Sequence, residues 1–187
     1  MKKVMALLSA AALCACAHHV TVPSYYTLAE NADGVAISAK KMSVDVGRIK
    51  IPEYIDRAQI VTTDGVVVNV AENDRWAERV GPMLERRIMS GLRTRLTGAS
   101  VKSGDFIGAP ADYTVFVEVY RLDGAMPGSV IMDATYSVVS GGTPVRTRRV
   151  EYSVDCGDTY SDYVHAVGAL TDKLSRDISR DLDKLAK

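Results

Sequence analysis

The residues with most to offer chemically are three cysteines and three histidines in a chain of 187. Cys14 and Cys16 close an apolar run near the N-terminus, His18 and His19 follow at once, and Cys156 and His165 lie far downstream. Two adjacent histidines with no further Cys or His cluster make a poor metal site. The chain holds no C-x-x-C, no G-x-S-x-G elbow, no H-E-x-x-H and no phosphate-cradling glycine loop. Acids are plentiful, but a pair such as Asp45 and Glu53 reads as a solvated strand edge and loop. Without a pocket, no general acid is nominated. Cys156 has no nearby base to activate it and reads as a buried structural thiol. His165, in the first turns of a helix, reads as surface or packing. The expectation is no catalytic residue, no metal and no cofactor. The protein is not expected to be an enzyme.

One cysteine has a different chemistry in prospect. Lys2 and Lys3 precede an apolar run from Val4 to Ala15 broken only by Ser9. At about 1.5 Å per residue this run is too short for a hydrocarbon core of about 30 Å, so it reads as a secretory signal. Leu13-Cys14-Ala15-Cys16 resembles the bacterial lipobox: an aliphatic residue, two small ones, then a cysteine. In signals of that type the thiol of Cys16 takes a diacylglycerol thioether, cleavage follows before it, and the new amine is acylated, palmitate being expected. Cys14 is unsuited, because Leu13 would occupy the scissile position that needs a small residue. Two or more acyl chains, at about 0.8 kcal/mol per buried methylene, make a stable anchor.

Loss of residues 1–15 removes two of the 23 basic residues and none of the 23 acidic ones, leaving a net charge of −2. Such a chain has no basic field suited to polyphosphate, which argues against nucleic acid as a partner. The expected organisation is a signal over 1–15, a lipidated tether over 16–24 and a single domain over 25–187, long enough for a real core.

The elements of that domain follow from periodicity. Tyr25 to Leu28 has strand composition, and Asn31-Ala32-Asp33-Gly34 reads as a turn. Met42, Val44 and Val46 alternate with Ser43 and Asp45; Gly47 then interrupts, Ile49 and Ile51 continue on the opposite face, and Pro52 ends the run. Gln59–Thr62 and Val66–Val70 form a hairpin through Asp64-Gly65. Asn73 and Asp74 offer N-caps for a helix carrying Trp76 near its start. Its stripe of Val80, Leu84, Ile88, Leu92 and Leu96 makes it amphipathic. Pro82 either kinks it or marks its true first turn. Gly98 stops it, and Ser100 to Pro110 reads as a polar loop. Three strands follow, led by Tyr113–Val119, Val130–Val138 and Val150–Val154. Their one-sided alternation predicts an antiparallel meander, wet on one face. Thr159 and Asp162 have capping-box spacing ahead of a final helix whose stripe runs from Tyr163 to Leu185. That stripe fits packing on the meander or, at its end, a coiled-coil contact. The expected fold is α+β: a two-layer sandwich of a mainly antiparallel sheet with two amphipathic helices on one face.

Three segments carry a family resemblance. Ile51-Pro52-Glu53-Tyr54-Ile55-Asp56-Arg57-Ala58-Gln59-Ile60-Val61 resembles the P-x-Y-L-D-R-x-Q-I-V signature of the PqiC-type ABC-transport auxiliary lipoproteins, with Ile55 in place of the usual leucine. Arg75-Trp76-Ala77-Glu78 resembles the R-W-A-E/D segment that follows, and Tyr25-Tyr26-Thr27-Leu28 the opening Y-Y-x-L. The resemblance implies a non-enzymatic, lipid-anchored periplasmic subunit that helps maintain envelope integrity. Its implied partners are an MCE-domain protein bridging the periplasm and the inner-membrane permease behind it. An adaptor of this kind can form a homo-oligomer, such as a ring around the bridge. Ala17 lacks the aspartate that commonly retains lipoproteins at the inner membrane, which agrees with the periplasmic face of the outer membrane. Tyr54, Arg57, Arg75 and Trp76 become partner-binding candidates, since Tyr, Trp and Arg are enriched in interface anchors. Structural roles stand beside this: Pro52 ends a strand, Tyr54 caps the core, Arg57 pairs with Asp56 or another carboxylate, and Trp76 fills space between sheet and helix. A lipoprotein of the LPS-assembly type, plugging or chaperoning a barrel, is the alternative reading.

Overall fold

Alternation that is apolar on one side only builds the long strands and decides where the core lies. The computed structural model describes residues 21–29, 34–104 and 108–186. The signal, Cys16, His18 and His19, and most of the turn at 31–34 lie outside the described residues. The strands are β1 (Ser24–Tyr26), β2 (Met42–Val46), β3 (Gln59–Asp64), β4 (Val67–Trp76), β5 (Ala99–Ser103), β6 (Tyr113–Gly124), β7 (Gly128–Ser140) and β8 (Thr143–Cys156); the helices are α1 (Val80–Arg95) and α2 (Tyr160–Leu185).

Strands β6, β7 and β8 form the expected antiparallel meander. Val130, Met132, Ala134, Tyr136 and Val138 of β7 are fully buried, as are Val115 of β6 and Val44 and Val46 of β2. Phe116 and Tyr120 point to the wet face. The β7–β8 turn is Gly141-Gly142, both at positive φ, the arrangement that two-residue turns matching strand twist require. The sheet is wider than the meander: its order is β5-β2-β6-β7-β8, and β2 runs parallel to both neighbours. A second sheet, ordered β1-β4-β3, joins β1 parallel and β3 antiparallel to β4.

Helix α2 begins as expected: Thr159 Oγ1 accepts the Asp162 N–H at 3.1 Å, and the Asp162 carboxylate accepts the Thr159 N–H at 3.2 Å. Its stripe from Tyr163 to Leu182 is buried against β7, β8 and α1, so the helix packs on its own sheet. Polar contacts fix its register. Arg87 of α1 holds Asp172 in a two-pronged contact of 3.1 and 2.8 Å. Asp181, itself buried, accepts the Tyr136 hydroxyl at 2.7 Å, and Tyr152 donates to Asp177 at 2.8 Å.

Three expectations need correction. Asn73, Asp74 and Trp76 lie in β4, not at a helix start. Pairing of Asp74 with Ser24, Trp76 with Tyr26 and Arg75 with Gln59 holds the chain extended there. Helix α1 starts only at Val80 after an uncapped Arg79, with Pro82 in its first turn. Ser100–Ser103 is strand rather than loop, because β5 docks along β2 and buries Val101. Ile49 is buried in the same core as Val44 and Val46 rather than facing away from it.

Candidate functional site

The three signature segments are distant in sequence and adjacent in space. Strand β1 lies beside the end of β4, with Tyr25 opposite Arg75, and β3 begins on the other side with Gln59 opposite the same Arg75. Residues 52–58 reach that point through a tight turn in which the Ile55 and Asp56 N–H groups donate to Pro52 O, both at 3.2 Å. Ile55, buried, pins the turn to the core beside Trp76, Val80 and Tyr163. Two backbone bonds close the junction: Trp76 N–H to Ala58 O at 2.6 Å and Ala77 N–H to Tyr26 O at 2.7 Å. The Tyr26 hydroxyl donates to Asp74 at 2.8 Å, and that bond, ahead of burial, raises its pKa.

The result is an open groove of about 480 Å³ walled by Tyr25, Asp56, Arg57, Arg75, Trp76 and Arg79. Its acids are engaged. Asp56 is paired with Arg79, whose pKa is raised by that hydrogen bond, and Glu78, also on the rim, is paired with Arg86. Two guanidinium groups are not: among the described residues neither Arg57 nor Arg75 has a side-chain partner, and Arg75 Nε is buried with its donor unmet. Tyr25 stands 64% exposed beside them, while Trp76 shows only its edge, at 6%. Two free forks beside an exposed aromatic ring suit capture of carboxylate- or phosphate-bearing surfaces.

Tyr54 is not part of this wall. Its side chain turns to the other side of the segment, where the hydroxyl donates to the buried Asp123. Asp123 also accepts Thr63 Oγ1 at 2.9 Å and Arg121 Nε at 2.9 Å. Burial first, and this bond second, push the Tyr54 hydroxyl well above its ordinary pKa. Of the four candidates, Arg57, Arg75 and Trp76 converge and Tyr54 does not. Arg57 is exposed and does not pair with Asp56, which Arg79 claims instead. The residues that sequence reading missed are Arg79 and Asp123. Arg79 meets Asp56 from 23 residues away and Asp123 meets Tyr54 from 69, contacts that nothing local announces.

The sequence matches the model of the ABC-type transport auxiliary lipoprotein component family over residues 26–179. No curated protein matches it. Among solved structures it is similar to the crystal structure of an uncharacterized protein, with 21% identity and a TM-score of 0.73 over 87% of this chain and 99% of the other. It is also similar to protein XCC0632 from Xanthomonas campestris, with 12% identity and a TM-score of 0.67 over 83% of this chain and 92% of the other. At these identities the likeness is one of fold.

Proposed function

We propose, on the premise that the chain belongs to the ABC-type transport auxiliary lipoprotein component family, that it is the lipid-anchored adaptor of an MCE-type lipid transport system. In this reading Cys16 carries the acyl anchor at the periplasmic face of the outer membrane. The domain then captures an MCE-domain protein that bridges the periplasm to its inner-membrane permease. No helix among the described residues is long and apolar enough to cross a membrane. The work is mechanical: it tethers and aligns, without catalysis.

The observation that carries the proposal is the convergence of the three signature segments on one groove, with Arg57 and Arg75 uncommitted at its wall. A guanidinium left without a partner offers its donors to an arriving carboxylate with no existing ion pair to break. Arg57 is the better probe because it is exposed; Trp76 is built into the core, and its loss would unfold as well as unbind.

The test is affinity capture of the lipidated chain from mildly crosslinked, detergent-solubilised envelopes, with mass spectrometry of what is retained. Wild type is expected to retain an MCE-domain protein with its permease. Arg57→Glu is expected to lower that recovery by about tenfold, the scale of one interface anchor, with an unchanged melting temperature. Recovery of an outer-membrane barrel alone would move the assignment to a barrel-assembly lipoprotein. Equal loss of stability and capture would remove the groove from the argument.

A further inference from the structure

The β3–β4 hairpin overhangs the core. Val66 is 99% exposed, and Val67, Val68 and Val70 stand at 56, 47 and 41%. Successive strand residues point to opposite faces, so this run is uncovered on both. From Gln59 to Val70 no lysine or proline blunts it, whereas the long edge strand β8 carries Pro144, Arg146, Arg148 and Arg149. An apolar tip of this kind marks a contact surface.

Direction and chain length indicate what covers it. Strand β1 runs parallel to β4, with Ser24 beside Asp74 and Tyr26 beside Trp76. The chain ahead of Ser24 therefore arrives from the side of the hairpin tip. From Asp74 back to Val66 is eight residues, about 26 Å of strand. From Ser24 back to Cys16 is also eight residues, at most about 29 Å of extended chain. The lipid-bearing residue can reach the level of the tip and scarcely beyond it.

We infer that the tip of the β3–β4 hairpin, Val66 to Val70, rests in the lipid surface beside the acyl anchor; this rests on the reading of Cys16 as lipidated. The acyl chains supply the affinity, and the hairpin, held close by the tether, needs only a weak contact. Asp64, register partner of Val67, sets the depth, because a carboxylate is too costly to carry into hydrocarbon. The contact is therefore shallow. Its effect is orientation: Arg75 and Trp76, at the other end of β4, stand about 30 Å from the tip, away from the bilayer and toward any partner.

The test uses the full lipidated chain in vesicles of phosphatidylethanolamine and phosphatidylglycerol, with an environment-sensitive fluorophore on Val66→Cys. Cys156 is buried, so labelling falls on the introduced thiol. The control is Val145→Cys, exposed near the far turn of β7 and β8. The label at position 66 is expected to shift to the blue and to be quenched more by shallow than by deep spin-labelled lipid, with the label at 145 unchanged. A chain that does not float with the vesicles overturns the anchor and the contact together. A floated chain whose label at 66 still reads water overturns the contact alone. Shielding that requires added envelope protein also overturns it, in favour of a protein partner.

Discussion

At the scale of single residues, the signature segment Pro52–Gln59 divides its work. Tyr54 turns inward to Asp123, and Arg57 turns outward with no partner among the described residues. The difference is measurable. Asp123→Ala strips the acceptor from Tyr54 and Thr63 at once and leaves two half-buried hydroxyls without it, at a cost of about 2–3 kcal/mol. Tyr54→Phe removes one donor while Thr63 and Arg121 still serve the carboxylate, so about 1 kcal/mol is expected. Denaturant midpoints of the two variants check the order; equal losses would mean that Tyr54 does not serve the fold through Asp123. Neither substitution is expected to touch capture, since neither residue walls the groove.

At the scale of elements, what could be read from sequence was whatever repeats. The meander, the α1 stripe and the whole of α2 carry long one-sided patterns, and each lies where periodicity puts it. Short strands carry only a fragment of a period, enough to show β2 but not β5. Neither β1, with three residues, nor β5, with five, declares its partner, so the parallel pairings that add β1 to the small sheet and β5 to the large one were illegible. Asn73-Asp74 has the look of a helix cap, and only contact with β1 and β3 keeps it extended. The groove was half legible: Arg57, Arg75 and Trp76 came from motif resemblance, while Arg79 and Asp123 depend on contacts that only the fold makes. Gly98 had a local reading, as a helix stop, and a tertiary one replaces it. Helix α1 has already ended at Arg95, and a Cβ at position 98 would sit 2.1 Å from the backbone oxygen of Ala39. Gly98→Ala is therefore expected to cost about 1–3 kcal/mol through forced backbone shift, read as a lower denaturant midpoint. Wild-type stability in that variant would contradict the close approach.

At the scale of the molecule, the α2–sheet interface and its neighbouring core bury Tyr136 and Tyr163 and half-bury Tyr54 and Tyr152. Tyr54, Tyr136, Tyr152 and Tyr163 all have hydroxyl pKa values pushed up, burial being the largest cause in each case. A raised acid keeps its proton in the folded chain at a pH where the unfolded chain, near 10, has released it. Stability from this source is complete below about pH 10 and falls as pH rises past it. Thermal melts from about pH 8 to about pH 11 are expected to be flat and then to drop steeply, with a shallower drop in Tyr136→Phe. A second whole-molecule feature concerns time. Strand β2 sits between β5 and β6, made some 50 to 70 residues later, and Lys40 beside it is clasped by the carbonyls of Asp183 and Ala186, both at 2.8 Å. The first part of the sheet is thus locked by the last turn of the last helix. Strand β2 therefore has neither neighbour to pair with until residues 99–124 have been made. In a chain exported as the Cys16 reading implies, that order leaves β2 unpaired while its neighbours are still in transit.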